Sequence, residues 1–148
     1  TGPGFTARIT KRLRDELGLC YSVDASICGT ARDEPGAFTA YIGTSAEHRQ
    51  AAIDGFLQEI RGLQRRAPSE SEVEDVRQYL TGSYVLGLER NVSLARYLIQ
   101  TKRYDLGYDF FERHAALIEA VSAKDVQRVA KQHLHPDQVV IVSAGASA

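Results

Sequence analysis

The sequence contains no methionine, no tryptophan and only two cysteines in 148 residues. It opens Thr1-Gly2-Pro3-Gly4 where a complete gene product begins with Met. The expectation is a trimmed chain, in which a missing signal peptide says little about the parent. Cys20 and Cys28 flank a predicted strand, roughly 26 Å apart if the strand is straight. A disulfide needs Cα atoms within about 7 Å, so two free, packing thiols are expected. No stretch approaches the ~18 apolar residues of a membrane span. The formal net charge of −1 provides no field to attract nucleic acid or an anionic membrane. Arg outnumbers Lys by 14 to 4, but acids are interspersed, so this reads as compositional bias rather than a binding patch.

Familiar chemical motifs are also missing. The histidines are His48, His114, His133 and His135, and none sits in H-x-x-E-H or H-E-x-x-H spacing. His133 and His135 lie two apart at a predicted helix end, where side chains do not share a face. No glycine loop suited to phosphate and no G-x-S-x-G elbow occurs. Tyr and Phe fall at core spacing rather than over a basic face, which argues against binding of single-stranded nucleic acid. Asp15-Glu16 and Asp33-Glu34 read as solvated polar residues.

What is present is a regular alternation of elements. Phe5, Ile9, Leu13 and Leu17 recur every fourth residue, which predicts a helix over 5–17. Leu19, Tyr21, Val23, Ala25 and Ile27 recur every second residue, which predicts a strand over 19–28. Gly18 lies at the change of period, where a helix end needs a residue that tolerates positive φ. Residues 29–36 read as a loop. Phe38, Ala40 and Ile42 then mark a second strand over 37–44, joined to the first as an antiparallel hairpin.

Helices dominate the remainder. Thr44-Ser45-Ala46-Glu47 reads as a capping box before a helix with Ala52, Ile53, Phe56, Leu57, Ile60 and Leu63 inward. Ser69-Glu70-Ser71-Glu72 reads as a second box, before a helix with Val73, Val76, Leu80 and Tyr84 inward. A further helix is expected through Leu94, Ala95, Leu98 and Ile99. After a turn at Asp105-Leu106-Gly107 comes one through Phe110, Phe111, Ala115, Leu117, Ile118 and Val121. Ser122 to Asp125 begins the last, with Val126, Val129, Ala130 and Leu134 inward and Pro136 as its stop. Val139 to Val142 reads as a short buried strand. The order is α-β-β-α-α-α-α-α-β. The fold class is α+β: a two-layer sandwich whose antiparallel or mixed sheet carries several helices on one face. Residues 1–148 read as a single domain.

The helix–glycine–strand stretch places a permanent cation, Arg14, near a phenol, Tyr21. By spacing alone these are an exposed helix residue and a strand core residue. The stretch Leu13-Arg14-Asp15-Glu16-Leu17-Gly18-Leu19-Cys20-Tyr21 also resembles the L-R-E-x-x-G-L-x-Y signature of pitrilysin/insulinase-type and mitochondrial processing zinc peptidases. Further matches follow in order. Phe5-Thr6-Ala7-Arg8-Ile9 resembles the family's F-x-S-R-L helix entry, with Ala7 in place of Ser. Ser69 to Val73 with Tyr79 to Tyr84 resembles S-E-E-E-L … L-x-G-S. Val121 to Val126 with Leu134 to Asp137 resembles V-T-x-E-D-V … Y-L-x-P-D. Val139 to Gly145 resembles the closing V-V-V-x-G.

The resemblance implies the C-terminal, zinc-lacking domain of such a peptidase, truncated before Thr1. Two similar α+β domains of the family face each other across a chamber, and zinc sits in the other one on an inverted H-x-x-E-H motif. Arg14 and Tyr21 match the positions that hold the substrate peptide. A strand edge bearing Tyr21 or Tyr41 could take up an extended substrate. The implied cofactor is zinc in the partner domain, with no metal and no catalytic residue in this chain. The implied partners are a zinc-bearing domain of the same parent or another subunit, and a peptide; neither nucleic acid nor a membrane span is expected. Self-pairing would be one way to cover an open edge. The source reads as bacterial, cytoplasmic or periplasmic. The alternative reading is a catalytically dead scaffold subunit or a peptide-binding module of the same fold.

Overall fold

The computed structural model describes residues 4–27 and 36–145, with the side chain of Phe5 excluded. Cys28 and the expected loop up to Pro35 therefore lie outside the described residues. The chain forms two compact units, Thr1–Pro68 with Lys124–Ala148, and Ser69–Ala123.

The first unit begins with helix α1, Phe5–Ile9, which continues as a wider π-helical segment, Thr10–Glu16. The apolar spacing of four falls between the α-helical turn and the wider π-helical one. An α-helix turns every 3.6 residues, so a spacing of four drifts steadily around it. A π-helix bonds each amide one residue further back, and Leu17 N–H duly donates to Arg12 O at 3.1 Å. Ile9 and Leu13 are fully buried in the same core cluster. Leu17 does not follow them inward and remains 44% exposed, because it caps the segment.

Strands β1, Ser22–Ile27, and β2, Phe38–Gly43, pair antiparallel, with Ser22 opposite Gly43 and Ile27 opposite Phe38. They form a two-stranded sheet. Helix α2, Arg49–Arg65, lays Ala52, Phe56, Ile60 and Leu63 into the interior as its period predicts. Ile9, Leu13, Cys20, Phe56 and Ile60 form the central cluster, against which Val23, Ile42 and Leu134 pack. Gly55 is required by this contact: a Cβ there would stand 2.5 Å from Leu13 Cδ2.

Helix α6, Ala123–His133, returns to this unit and buries Ala130. Gln64 fastens it. Its Nε2 donates to the carbonyls of Ala130 (3.1 Å) and Leu134 (2.5 Å), and its backbone carbonyl accepts from Gln127 Nε2 at 3.0 Å.

Two expectations for this unit are corrected. Thr44 does not cap α2; its hydroxyl donates to Leu19 O instead, and the helix starts at Arg49 with no side-chain cap. Val139 to Val142 form no strand and are exposed, Val140 at 93%. An apolar run becomes a strand only with a ladder partner, and among the described residues β1 and β2 pair only with each other.

The second unit contains α3, Glu70–Gly87; α4, Asn91–Arg103; and α5, Phe110–Glu119. The Ser69 capping box is formed: Ser69 Oγ accepts from Glu72 N–H at 3.2 Å, and Glu72 Oε2 accepts from Ser69 N–H at 2.9 Å. Arg77 ties the end of α5 to α3 by donating to Val121 O at 2.7 Å. The face of α4 differs from the apolar reading. Leu94, Leu98 and Ile99 are exposed, while Thr101 is buried and Tyr97 is half-buried. Tyr97 meets Tyr84 edge to face at 6.0 Å, and His114 stacks on Tyr84 at 3.7 Å. These rings bring α3, α4 and α5 together, with a polar atom on each.

Candidate functional site

The site begins where the π-helical segment ends. Gly18 N–H donates to Arg14 O at 3.2 Å and Leu19 N–H to Leu13 O at 2.8 Å, while Gly18 itself takes φ +60°. An L-residue would be strained in that conformation. The turn reverses the chain in two residues and delivers Cys20 to the core and Tyr21 to the surface.

Tyr21 is held by its backbone and free at its tip. Its N–H donates to Gly43 O at 2.8 Å, which registers it at the mouth of the hairpin. The core position expected from its spacing is corrected: Tyr21 precedes β1 and is 90% exposed. A ring so exposed gains little from burial, so packing does not account for a tyrosine here. Beside it lies an open depression of about 370 Å³, lined by Gly18 to Tyr21, Gly43 to Ser45, and His48. Gly43 keeps this surface open, because a Cβ there would stand 2.7 Å from Ser22 Oγ and 3.3 Å from Tyr41 Oη. Tyr41 is also exposed, on β2.

Arg14 lies on the helical side of the turn. Its Nε donates to Asp15 Oδ1 at 2.9 Å, and both side chains are about half exposed. It does not line the depression beside Tyr21. Its charge is felt at Cys20, one residue before Tyr21. Burial pushes the Cys20 thiol above its ordinary pKa, the Arg14 guanidinium opposes that rise, and Asp15 adds to it. The turn therefore brings Arg14 close to the root of Tyr21, with Asp15 as its present partner. His48 shares the depression with Tyr21, and the sequence offered no sign of this because the two meet only through the pairing of β1 with β2.

The arrangement offers an exposed phenol that can donate to a carbonyl oxygen and a guanidinium with free donors. Among the described residues, no group of three His, Cys, Asp or Glu side chains is placed to hold a metal ion. A zinc site needs at least three such ligands, so the described residues do not fit zinc.

Residues 2–80, just over half of the chain, match the family described as the peptidase M16 inactive domain. The chain belongs to that family. It is 27% identical over 88 residues to the uncharacterized zinc protease YmxG of Bacillus subtilis, a match covering 60% of this chain and 21% of that protein. The solved peptidase M16 inactive domain from Pseudomonas fluorescens superposes with a TM-score of 0.79 at 21% identity, over 93% of this chain and 32% of that one. A conserved protein from Enterococcus faecalis V583 gives 0.70 at 18% identity, over 86% and 32%. These two establish the α+β fold of the inactive domain. The chain spans about a fifth of YmxG and about a third of each solved relative. No helix among the described residues is long and apolar enough to cross a membrane.

Proposed function

We propose that this chain is the substrate-binding, zinc-lacking part of a zinc metalloendopeptidase. In this reading it forms one wall of a chamber opposite a zinc-bearing domain, on the same parent chain or on a partner subunit. The observation that carries the proposal is Tyr21: fixed by its backbone at the hairpin mouth, yet 90% exposed beside an open depression. A phenol held in that way is pre-oriented to donate to the carbonyl of a bound peptide, and to the oxyanion that forms when the carbonyl is attacked. Arg14 supplies a second set of donors for substrate carbonyls or a carboxylate. Zinc in the partner domain would supply the Lewis acid and the activated water.

The test uses the intact parent protein, with Arg14→Ala and Tyr21→Phe made separately. Peptide cleavage falls in each while zinc content and melting temperature hold. Wild-type cleavage in both variants overturns the proposal. The competing reading, a catalytically dead scaffold, has one observation in its favour: Arg14 is engaged by Asp15 rather than directed into the depression. An H-x-x-E-H motif in the parent or a partner subunit favours the peptidase, and its absence from both favours the scaffold.

A further inference from the structure

A second concave feature lies in the first unit, at the far end of α2. Arg61 and Arg65 stand one turn apart near the helix C-terminus, so their side chains leave the same face. With Gln64 and the turn from Leu134 to Gln138 they line a cavity of about 440 Å³. Its walls are fixed by the Gln64 amide on the Ala130 and Leu134 carbonyls, and by the burial of Pro136.

The charge in this cavity is unbalanced. Two guanidiniums share the lining with a single carboxylate, Asp137, and with the His135 side chain. That carboxylate meets Arg61 Nη2 at 2.7 Å, and its side chain is 82% exposed. Among the described residues no hydrogen bond or ion pair engages the Arg65 side chain. The C-terminal helix dipole favours a cation here, but two like charges one turn apart oppose each other. One exposed acid neutralises only one of them.

We propose that this cavity binds a ligand bearing two carboxylates. One takes the place of Asp137 on Arg61, and the other meets Arg65. The Asp137 contact shows that the cavity accepts a carboxylate on Arg61, and an exposed ion pair of this kind is weak enough to exchange. The guanidinium fork matches a carboxylate with two parallel bonds. A separation of four residues, about 6 Å along the axis, suits acids joined by a few carbons. Such a ligand is either a free dicarboxylic acid or a pair of neighbouring acidic side chains on a peptide. Asp137 is then an internal competitor for the site.

The experiment titrates the intact protein, at low ionic strength, with glutarate, with a Gly-Glu-Glu-Gly peptide and with acetate, read by calorimetry and by the NMR shift of the His135 imidazole. Saturable binding of glutarate or the peptide is expected, with acetate much weaker. Arg61→Gln and Arg65→Gln each weaken binding roughly tenfold or more, as loss of a charge-assisted contact does. Asp137→Asn tightens it several-fold. Saturation by glutarate identifies a free acid, and saturation by the peptide alone identifies a protein segment; either supports the proposal. It is overturned if neither ligand saturates, if Arg65→Gln binds as tightly as wild type, or if Asp137→Asn weakens binding. Arg65 is exposed and unpaired, so its variant folds normally, which a thermal melt verifies.

Discussion

Leu13 and Gly55 touch so closely that the helix carrying the glycine accepts no side chain at that position. Leu13 is fully buried and cannot swing aside. Overpacking of this kind costs about 1–3 kcal/mol. Replacing glycine within a helix returns about 1 kcal/mol of propensity. Gly55→Ala is therefore expected to destabilise the protein by up to about 2 kcal/mol. A Cβ on Gly62, on the same helix, would meet nothing within 4 Å, and Gly62→Ala is expected to stabilise by about 0.5–1 kcal/mol. Opposite shifts of the urea midpoint, with unchanged slope, are the readout.

Ser69 carries the other sharp stability effect. Its side chain and that of Glu72 satisfy two amides that would otherwise lack partners at the start of α3. Ser69→Ala removes the cap, and a loss of about 1 kcal/mol is expected. Ser69→Asp should recover most of it, since an aspartate caps as well as a serine. Equal stability of all three proteins would refute the role of the cap.

The aromatic contact in the second unit predicts how stability depends on pH. Burial holds the His114 imidazole below its ordinary pKa of 6.5. The unfolded chain therefore binds the proton first as pH falls, and stability declines from about pH 6.5 down to the lower folded value. The Tyr84 phenol is pushed up to about 12, chiefly by burial and further by Tyr97 beside it. The unfolded phenol ionises first on the alkaline side, so stability also falls between about pH 10 and 12. His114→Phe should flatten the acid limb and Tyr84→Phe the alkaline limb in a chemical-denaturation series. Unchanged limbs would refute the assignment.

Tyr21 and Arg14 should separate from all stability effects. The Tyr21 ring is exposed, so Tyr21→Phe should leave the melting temperature within error. If the phenol binds the oxyanion, its loss lowers kcat by roughly 100- to 1000-fold, the range for removal of one such donor. Asp15→Asn frees Arg14 from its neighbour. If Arg14 contacts substrate, this variant should lower KM with little change in kcat. An unaltered KM would argue that Arg14 is only a surface residue.

Local signals in the sequence carried much of this fold. Gly18 at the change of period, the Ser69–Glu72 box and the apolar face of α2 are each written within a few residues, and each takes the form its spacing predicts. Three features were not legible because distant neighbours decide them. Thr44 has the chemistry of a cap, but the Leu19 carbonyl takes its hydroxyl. Val139 to Val142 have the composition of a strand and no partner strand among the described residues. In α4, hydrophobicity points to Leu94 and Leu98, whereas Thr101 is buried and Tyr97 packs on Tyr84. The candidate site divides similarly. Arg14 and Tyr21 stand out by their motif, but the exposure of Tyr21 and its proximity to His48 follow only from strand register. The Arg61, Arg65 and Asp137 grouping joins residues some seventy positions apart, and no local pattern announces it.

The amides of Gln64 and Gln127 have a consequence for how the chain is made. They join residues on either side of the whole Ser69–Ala123 unit. At roughly 5–20 residues per second, α6 leaves the ribosome about 3–12 seconds after α2. Until then α2 lacks the helix to which Gln64 is bonded, while the inserted helices are already complete in one continuous stretch. The inserted unit can therefore fold first, and in doing so it shortens the loop that the remainder must close.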